Sequence, residues 1–213
     1  MDSRNVLIVG TGNFAEIAAL YFEEVNSRTV IGYTAEDEYV NGQEFAGRRL
    51  YPLSEVLQTF DRTNLEVYVA IGYRHRNKIR QRILDQLTIA NFSFASFIHP
   101  SVHMWMNTKI DEHLFIFEDN TVQPFCEIGR NVVLWSGNHI GHHSVIEDNV
   151  FISSHVVVSG SCTIGANTFI GVNASLHDGV KVGKSVVIGA GVVVREDVPD
   201  GAVMLPAPSS VKN

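Results

Sequence analysis

The chain is short of several things, and each shortage closes off a class of function. Cysteine is scarce: Cys126 and Cys162 are the two in 213 residues. That is far from a disulfide framework, and in a reducing compartment both remain thiols. Basic charge is also short, with 16 Lys and Arg against 23 Asp and Glu, a net charge of −7 and no basic block. A polyphosphate backbone needs a basic face, so no nucleic-acid partner is expected. No apolar run approaches the roughly 20 residues that span a bilayer, so no membrane partner is expected either. The opening residues MDSRNVLIVGTG pass directly into a strand and a glycine turn. They lack the anatomy of a signal peptide, and a cytoplasmic location is the expectation.

Apolar residues, by contrast, make up 45% of the chain, enough for one large domain or two modest ones. The pattern changes near residue 100, giving expected segments 1–100, 101–200 and a tail at 201–213. The first segment alternates strand and helix signals. Residues 6–9 form a short apolar run ending at Gly10, typical of a buried parallel strand. Residues 16–25 then carry apolar side chains at helical spacing. Further strands are read at 30–33, 67–71 and 92–97, and helices at 53–60 and 74–87. This order predicts a small α/β domain with a parallel, Rossmann-like βαβ sheet. At its first strand-to-helix turn, Gly10-Thr11-Gly12-Asn13-Phe14-Ala15 has the glycine spacing of a phosphate-binding turn, in which N–H groups at a helix N-terminus face the anion. A purely structural turn is the competing reading, because the motif alone is weak. Four strands are too few for a full dinucleotide fold. An acidic ribose ligand belongs near the end of the second strand; Glu36 and Asp37 stand a residue or two beyond that position. Gly72-Tyr73, at the end of the third strand, faces the same crevice.

The second segment obeys another rule. In steps of six from Ile110 to Val194, all fifteen residues are branched aliphatics. A period of six fits neither a helix nor a lone strand; it is the signature of a hexapeptide β-helix. Each hexad is one face of a triangular coil, with its aliphatic residue inward. The small residue two before it (Cys126, Asn138, Ser144, Cys162, Thr168, Ala174) is expected inside near a corner. Glycine often follows the aliphatic residue, as at Gly129, Gly141 and Gly165, and is expected to relieve strain at the turn. Three hexads make an 18-residue coil, and fifteen make about five coils. Cys126 and Cys162 then lie two coils apart, ~10 Å at the usual ~4.8 Å strand spacing, beyond disulfide reach. No loop interrupts the run. The residues after Asp197 break the period, and a tail from Pro206 to Ser210 is expected to be irregular.

The repeat, the glycine turn and the landmarks Val69-Ala70-Ile71-Gly72, Ile98-His99-Pro100, Ile140-Gly141-His142, Ser159-Gly160 and Ile188-Gly189-Ala190-Gly191 together carry a resemblance. Over nearly its whole length the chain resembles the bacterial nucleotide-sugar acetyltransferases that join a small nucleotide-binding βαβ domain to a left-handed parallel β-helix. That group includes the N-acetyltransferases of bacillosamine, perosamine and related 4-amino-4,6-dideoxysugar pathways, and the sialic-acid O-acetyltransferase type. The resemblance implies acetyl-CoA as co-substrate without a metal, and a UDP- or dTDP-linked amino sugar destined for surface glycans. It implies direct transfer in a ternary complex within a homotrimer of three β-helices. It puts the general base at His142, one of a cluster with His139, His143 and His155; histidine suits proton transfer near neutral pH. Family members often carry an acidic residue directly after the base, where this chain has His143, so Glu147, or Asp148, one hexad on, is a candidate for orienting the imidazole. A backbone amide near Gly160, one coil beyond His142, is the candidate oxyanion donor. The implied CoA groove uses Gly171-Val172 and Gly189-Ala190-Gly191, and a contact nine past the base falls on Phe151. In the first domain the sugar nucleotide is expected at Gly10, Thr11, Gly12, Asn13, Phe14, Glu36, Gly72 and Tyr73.

Other readings stay open at this stage. O-acetylation of a sugar hydroxyl is the main rival. A zinc enzyme of the γ-carbonic-anhydrase type would use His139, His143 and His155 as ligands. A non-catalytic sugar-nucleotide binding protein is a third.

Overall fold

Leu7, Ile8 and Val9 carry nothing polar in their side chains, and they fill the middle of a sheet. The computed structural model describes residues 5–207. The chain folds as two units: one runs to Arg74 and resumes at Lys78–Phe97, and the other is made of His75–Asn77 with the residues from Ile98 on.

In the first unit β1 (Asn5–Val9), α1 (Asn13–Glu24), β2 (Val30–Ala35), β3 (Glu44–Phe45), β4 (Arg48–Pro52), α2 (Leu53–Thr59), β5 (Leu65–Val69), α3 (Lys78–Ile89) and β6 (Ser93–Phe94) follow in order. The sheet order is β3-β4-β2-β1-β5-β6. Every pairing is parallel except the β3–β4 hairpin. The expected small parallel sheet is therefore present, extended by a hairpin that the pattern did not announce: β4 begins Arg48-Arg49, without an apolar run. Helix α3 starts at Lys78 rather than at 74, because His75, Arg76 and Asn77 have φ of 54°, 56° and 60°, a left-handed conformation no α-helix includes. Beneath the sheet, Phe22 packs edge-on to Phe97 with ring centroids 5.8 Å apart and tilts against Tyr68 at 5.6 Å. The buried Arg28 guanidinium meets the buried Glu66 carboxylate at 2.7 Å.

The second unit is a left-handed parallel β-helix. Its two-residue strands pair at intervals of 18 residues, for example Phe115 with Val133 and His139 with Val157, until the closing pair, Val187 with Val203, which is spaced by 16. They stack into three sheets. Face 1 contains Phe115–Ile116 and Phe151–Ile152, face 2 His139–Ile140 and Val157–Val158, and face 3 Glu127–Ile128 and Val145–Ile146. The aliphatic residues from Ile116 to Val194 in steps of six all lie in one core, each contributing about 1.5–3 kcal/mol by burial. Ile110 is the exception at 46% exposed; its strand is the end strand of face 3, with no coil before it to cover the side chain. The period also begins earlier than Ile110, since Ile98 and Met104 pack against the same core. Cys126 and Cys162 are inside, unbridged, with the other small residues expected there.

The turns differ from expectation in their cause. At the corners from His113 to Gly191 the left-handed residue stands three after the inward aliphatic, as in Phe125 (φ 66°), Asn131 (59°), His143 (59°) and His155 (56°). The glycine directly after the aliphatic serves another purpose. A β-carbon on Gly141 would stand 2.5 Å from the Ser159 carbonyl carbon, and one on Gly165 2.5 Å from that of Gly183. These glycines let successive coils touch. One corner also carries a buried polar ladder: His113 Nδ1 pairs with Asn131 Oδ1 at 2.9 Å, and Asn131 Nδ2 donates to Asn149 Oδ1 at 2.7 Å. Of the expected irregular tail, Pro206 and Ala207 lie outside any strand; its remainder falls beyond the described residues. Among the described residues no helix is long and apolar enough to cross a membrane.

Candidate active site

Two places collect the residues singled out from the sequence, one in each unit. The first is a cleft of about 530 Å³ at the C-terminal ends of β1, β2 and β5, lined among others by Gly10, Thr11, Gly12, Asn13, Phe14, Glu36 and Gly72. Ligands of open parallel sheets bind at this end of the strands. Gly10 has φ of 127°, and a β-carbon there would stand 2.9 Å from the Ala70 carbonyl oxygen, so only glycine fits. Helix α1 is capped by Gly12, which supplies no side-chain bond to the first turn; an anion can take those N–H groups instead. Glu36 directly follows β2 and is held by Arg82 through two bonds of 2.8 Å. That guanidinium keeps the Glu36 carboxyl below the usual carboxylate range. Tyr73 is outside the lining; its neighbour Arg74 lines the cleft instead.

The second place is the corner between faces 2 and 3. It turns through Gly141-His142-His143-Ser144 in one coil, and through Ser159-Gly160-Ser161-Cys162 in the next. The His142 side chain is exposed and packs on Gly160, where a β-carbon would stand 2.5 Å from Cε1 and 2.8 Å from Nε2. The His142 N–H donates to Gln123 Oε1 at 2.9 Å, and its carbonyl accepts from Ser161 N–H at 2.7 Å. Its Nδ1 lies 3.2 Å from His143 Nδ1. The His143 ring stacks on Phe125 with centroids 4.7 Å apart.

Several expected roles meet a different geometry. Glu147 lies at the next corner, between faces 3 and 1, where its Oε2 accepts the Ala166 N–H at 3.0 Å; within one chain it is not beside His142. The Gly160 N–H donates to Asp178 Oδ1 at 2.8 Å, and the Ser161 N–H serves the His142 carbonyl. Neither amide is open to an oxyanion in this arrangement. Phe151 is 4% exposed and packs between Trp135 and Phe169, at centroid distances of 6.4 and 5.9 Å. Its ring is engaged with these two neighbours on the outer side of face 1. Gly171 and Gly189 are stacking glycines: a β-carbon on Gly171 would stand 2.6 Å from the Ala190 nitrogen, and one on Gly189 3.0 Å from the Met204 oxygen. Val172 and Ala190 are exposed beside them, at the corner between faces 1 and 2. His155 occupies that same corner, His139 lies on face 2, and His143 stands at the corner of His142. Among the described residues no group of three or more His, Cys, Asp or Glu is placed to hold a metal ion.

Residues 125–160 and 161–196 match the family model for the bacterial transferase hexapeptide (six repeats). The repeat is that hexapeptide. Among curated proteins no sequence matches the chain. Solved structures do match over nearly the full length. A variant of perosamine N-acetyltransferase from Caulobacter crescentus, in complex with CoA and GDP-perosamine, superposes with a TM-score of 0.85 at 22% identity, covering 98% of this chain and 97% of that one. The acetyltransferase domain of PglB from Neisseria gonorrhoeae FA1090, in complex with acetyl coenzyme A, gives 0.83 at 23% identity, covering 94% and 95%. WeeI from Acinetobacter baumannii AYE gives 0.81 at 17%, covering 93% and 95%. These likenesses establish the two-part fold over the whole chain.

Three contributors escaped the sequence reading. Arg82 stands 46 residues from its partner Glu36, so no local pattern links them. Gln123 and Asp178, however, fall into the corner of His142 by the 18-residue period alone, one coil before and two coils after.

Proposed function

We propose that this protein transfers the acetyl group of acetyl-CoA to the amino group of a nucleotide-linked 4-amino-4,6-dideoxysugar, with His142 as general base. The observation that carries the reading is the His142 ring, exposed and seated on Gly160. Its Nδ1 is engaged by His143, while Nε2 has no hydrogen-bond partner among the described residues. A base is thus held in place with one nitrogen turned to its support and the other available. As the sugar amine attacks the thioester carbonyl, Nε2 takes the amine proton. The tetrahedral intermediate then collapses, the C–S bond breaks, and the proton passes to the departing thiolate. No acyl-enzyme is needed, and both thiols are buried in the core.

The cleft at Gly10–Phe14 suits the diphosphate of a sugar nucleotide, with backbone N–H groups and Arg74 facing the anion. The Caulobacter relative holds GDP-perosamine and CoA, which supports this substrate class. The nucleotide proposed here is UDP or dTDP, and the product an activated amino sugar for surface glycan synthesis. We also infer a homotrimer, because His142 and the small residues Gly171, Val172, Gly189 and Ala190 occupy different corners of one triangle; a neighbouring helix would bring the two corners together. Sedimentation as a monomer would end that part.

A panel of UDP-, dTDP- and GDP-linked 4-amino sugars, with acetyl-CoA and a thiol-release readout, tests the reading. Release that depends on the amino sugar and is lost in His142→Ala supports it. Release with the corresponding 4-hydroxy sugars would turn the assignment to O-acetylation. An unaffected His142→Ala variant would overturn it.

A further inference from the structure

His142 and His143 confront each other through like atoms. Nδ1 of one ring lies 3.2 Å from Nδ1 of the other, with the ring planes at 84°. Two facing imidazole nitrogens hold a hydrogen bond only if one carries the proton and the other a lone pair. The His143 ring is fixed from behind by its stack on Phe125, and its backbone by the N–H bond to the Pro124 carbonyl at 3.1 Å. Its protonation therefore dictates what the His142 ring does.

We infer that His143 is a positioning residue that sets the tautomer of His142, holding the proton on Nδ1 so that the Nε2 lone pair is free. This rests on the reading of His142 as base. When His143 is neutral with its proton on Nε2, its Nδ1 accepts from His142 Nδ1–H, and His142 is armed. When His143 gains a proton, its Nδ1–H faces His142. The His142 proton must then move to Nε2, and the reacting lone pair is gone.

The surroundings leave this to the two rings. Gln123, Pro124 and Phe125 of the coil before carry no titratable group, and the Cys126 thiol points inward to the Gly141 carbonyl. Of the later coils at this corner, Gly160 and Ser161 are uncharged. Asp178 Oδ1 is engaged with the Gly160 N–H, and its neighbour His177 is exposed two coils away.

Two substitutions separate the tautomer from the fold. His143→Phe keeps an aromatic ring against Phe125 and removes the acceptor. His143→Asn puts an amide oxygen near the place of Nδ1 and cannot take up a proton. Asn is also at ease at this left-handed position, as Asn131, Asn149, Asn167 and Asn173 show at other corners. Long-range proton–nitrogen NMR of the intact protein, with His142 assigned by its loss in His142→Asn, reads the tautomer without any substrate. The expected result is Nδ1–H in the native protein and in His143→Asn, and Nε2–H in His143→Phe. In parallel, kcat in His143→Phe falls about 10- to 100-fold, as for a weakened general base, with the KM for acetyl-CoA unchanged. His143→Asn restores kcat. An Nε2–H tautomer in the native protein, or one unaltered in His143→Phe, overturns the inference while leaving His142 as base. Undiminished turnover in His142→Asn would instead overturn the reading it rests on.

Discussion

His142 and Gly160, one coil apart, are fitted to each other: a β-carbon on Gly160 would stand 2.5 Å from Cε1 of the imidazole. The imidazole has its seat because the next coil presents bare backbone at that point. Gly160→Ala should push the ring away. The ring is exposed and can swing outward, so the melting temperature should change by no more than a few degrees. A displacement of about 1 Å is worth roughly 100-fold in rate, and kcat/KM in the thiol-release assay should fall by that order.

Gly141→Ala and Gly171→Ala should behave in the opposite way. Their added β-carbons meet backbone of the next coil, at 2.5 Å from the Ser159 carbonyl carbon and 2.6 Å from the Ala190 nitrogen, and backbone cannot swing aside. Overpacking of this kind costs about 1–3 kcal/mol. Thermal or urea unfolding would show it, before any change in the KM for acetyl-CoA. A raised KM for acetyl-CoA with unchanged stability would mean that Gly171 serves the ligand and not the stack.

Much of this was legible in advance because the β-helix is a local structure. Ile116 and its successors need only their own hexad and the one 18 residues away, so the period alone announces them. The outward neighbours carry a second message. On face 1 they are Phe115, Val133, Phe151 and Phe169, against Thr121, His139, Val157 and Ser175 on face 2 and Glu127, Val145, Thr163 and Lys181 on face 3. An apolar outer column sets face 1 apart from the other two, and the rings of Trp135, Phe151 and Phe169 pack together along it. What no period reveals is pairing across the α/β unit. Glu36 meets Arg82 only because the end of β2 and the side of α3 border the same crevice. The start of α3 depended on three left-handed residues, His75 to Asn77, none of them glycine.

The cleft offers a charge test. In Arg82→Gln, Glu36 loses its bidentate partner and leaves an uncompensated carboxylate in the cleft proposed for the nucleotide diphosphate. The KM for the sugar nucleotide should rise roughly tenfold, about 1.4 kcal/mol, with the KM for acetyl-CoA unchanged. The pair also has a pH signature. The folded Glu36 carboxyl lies below its unfolded value, chiefly through the Arg82 hydrogen bond. Its stabilising effect is present above the unfolded carboxylate range and fades as pH falls through the folded one. Arg82→Gln should weaken that acid-side loss in pH-dependent melting curves.

The two thiols give a test on the alkaline side. Burial raises both Cys126 and Cys162 above the ordinary thiol value of 9.0. Native protein at about pH 8 should therefore resist a thiol-specific reagent that titrates both groups after denaturation. Because the folded chain keeps protons that the unfolded chain gives up, stability should decline as pH rises past the ordinary thiol value, and Cys126→Ala/Cys162→Ala should flatten that decline. Fast labelling of the native chain would contradict the inward placement.

The buried ladder at the third corner is worth testing by itself. Asn131 pairs with His113 and donates to Asn149. Asn131→Ala removes both bonds and leaves their partners short of one each, at a cost of about 1–3 kcal/mol per buried group. Calorimetry should show the loss, while the tautomer and turnover of the distant His142 stay as they were.

Because the columns advance by 18 residues per coil up to the closing turn, chain length along the β-helix behaves as a discrete variable. Duplicating or excising one such block leaves each aliphatic residue facing inward and each stacking glycine under a neighbour. A change of six or twelve residues keeps the aliphatic residues inward but moves every later hexad to another face and carries Asp178 away from the column of His142; a change that is no multiple of six, unless it bulges out at a corner, also turns the later aliphatic positions out of the core. A chain of this kind lengthens and shortens by whole coils, and the spacing between the corner of His142 and the end of the helix comes in steps of one strand separation.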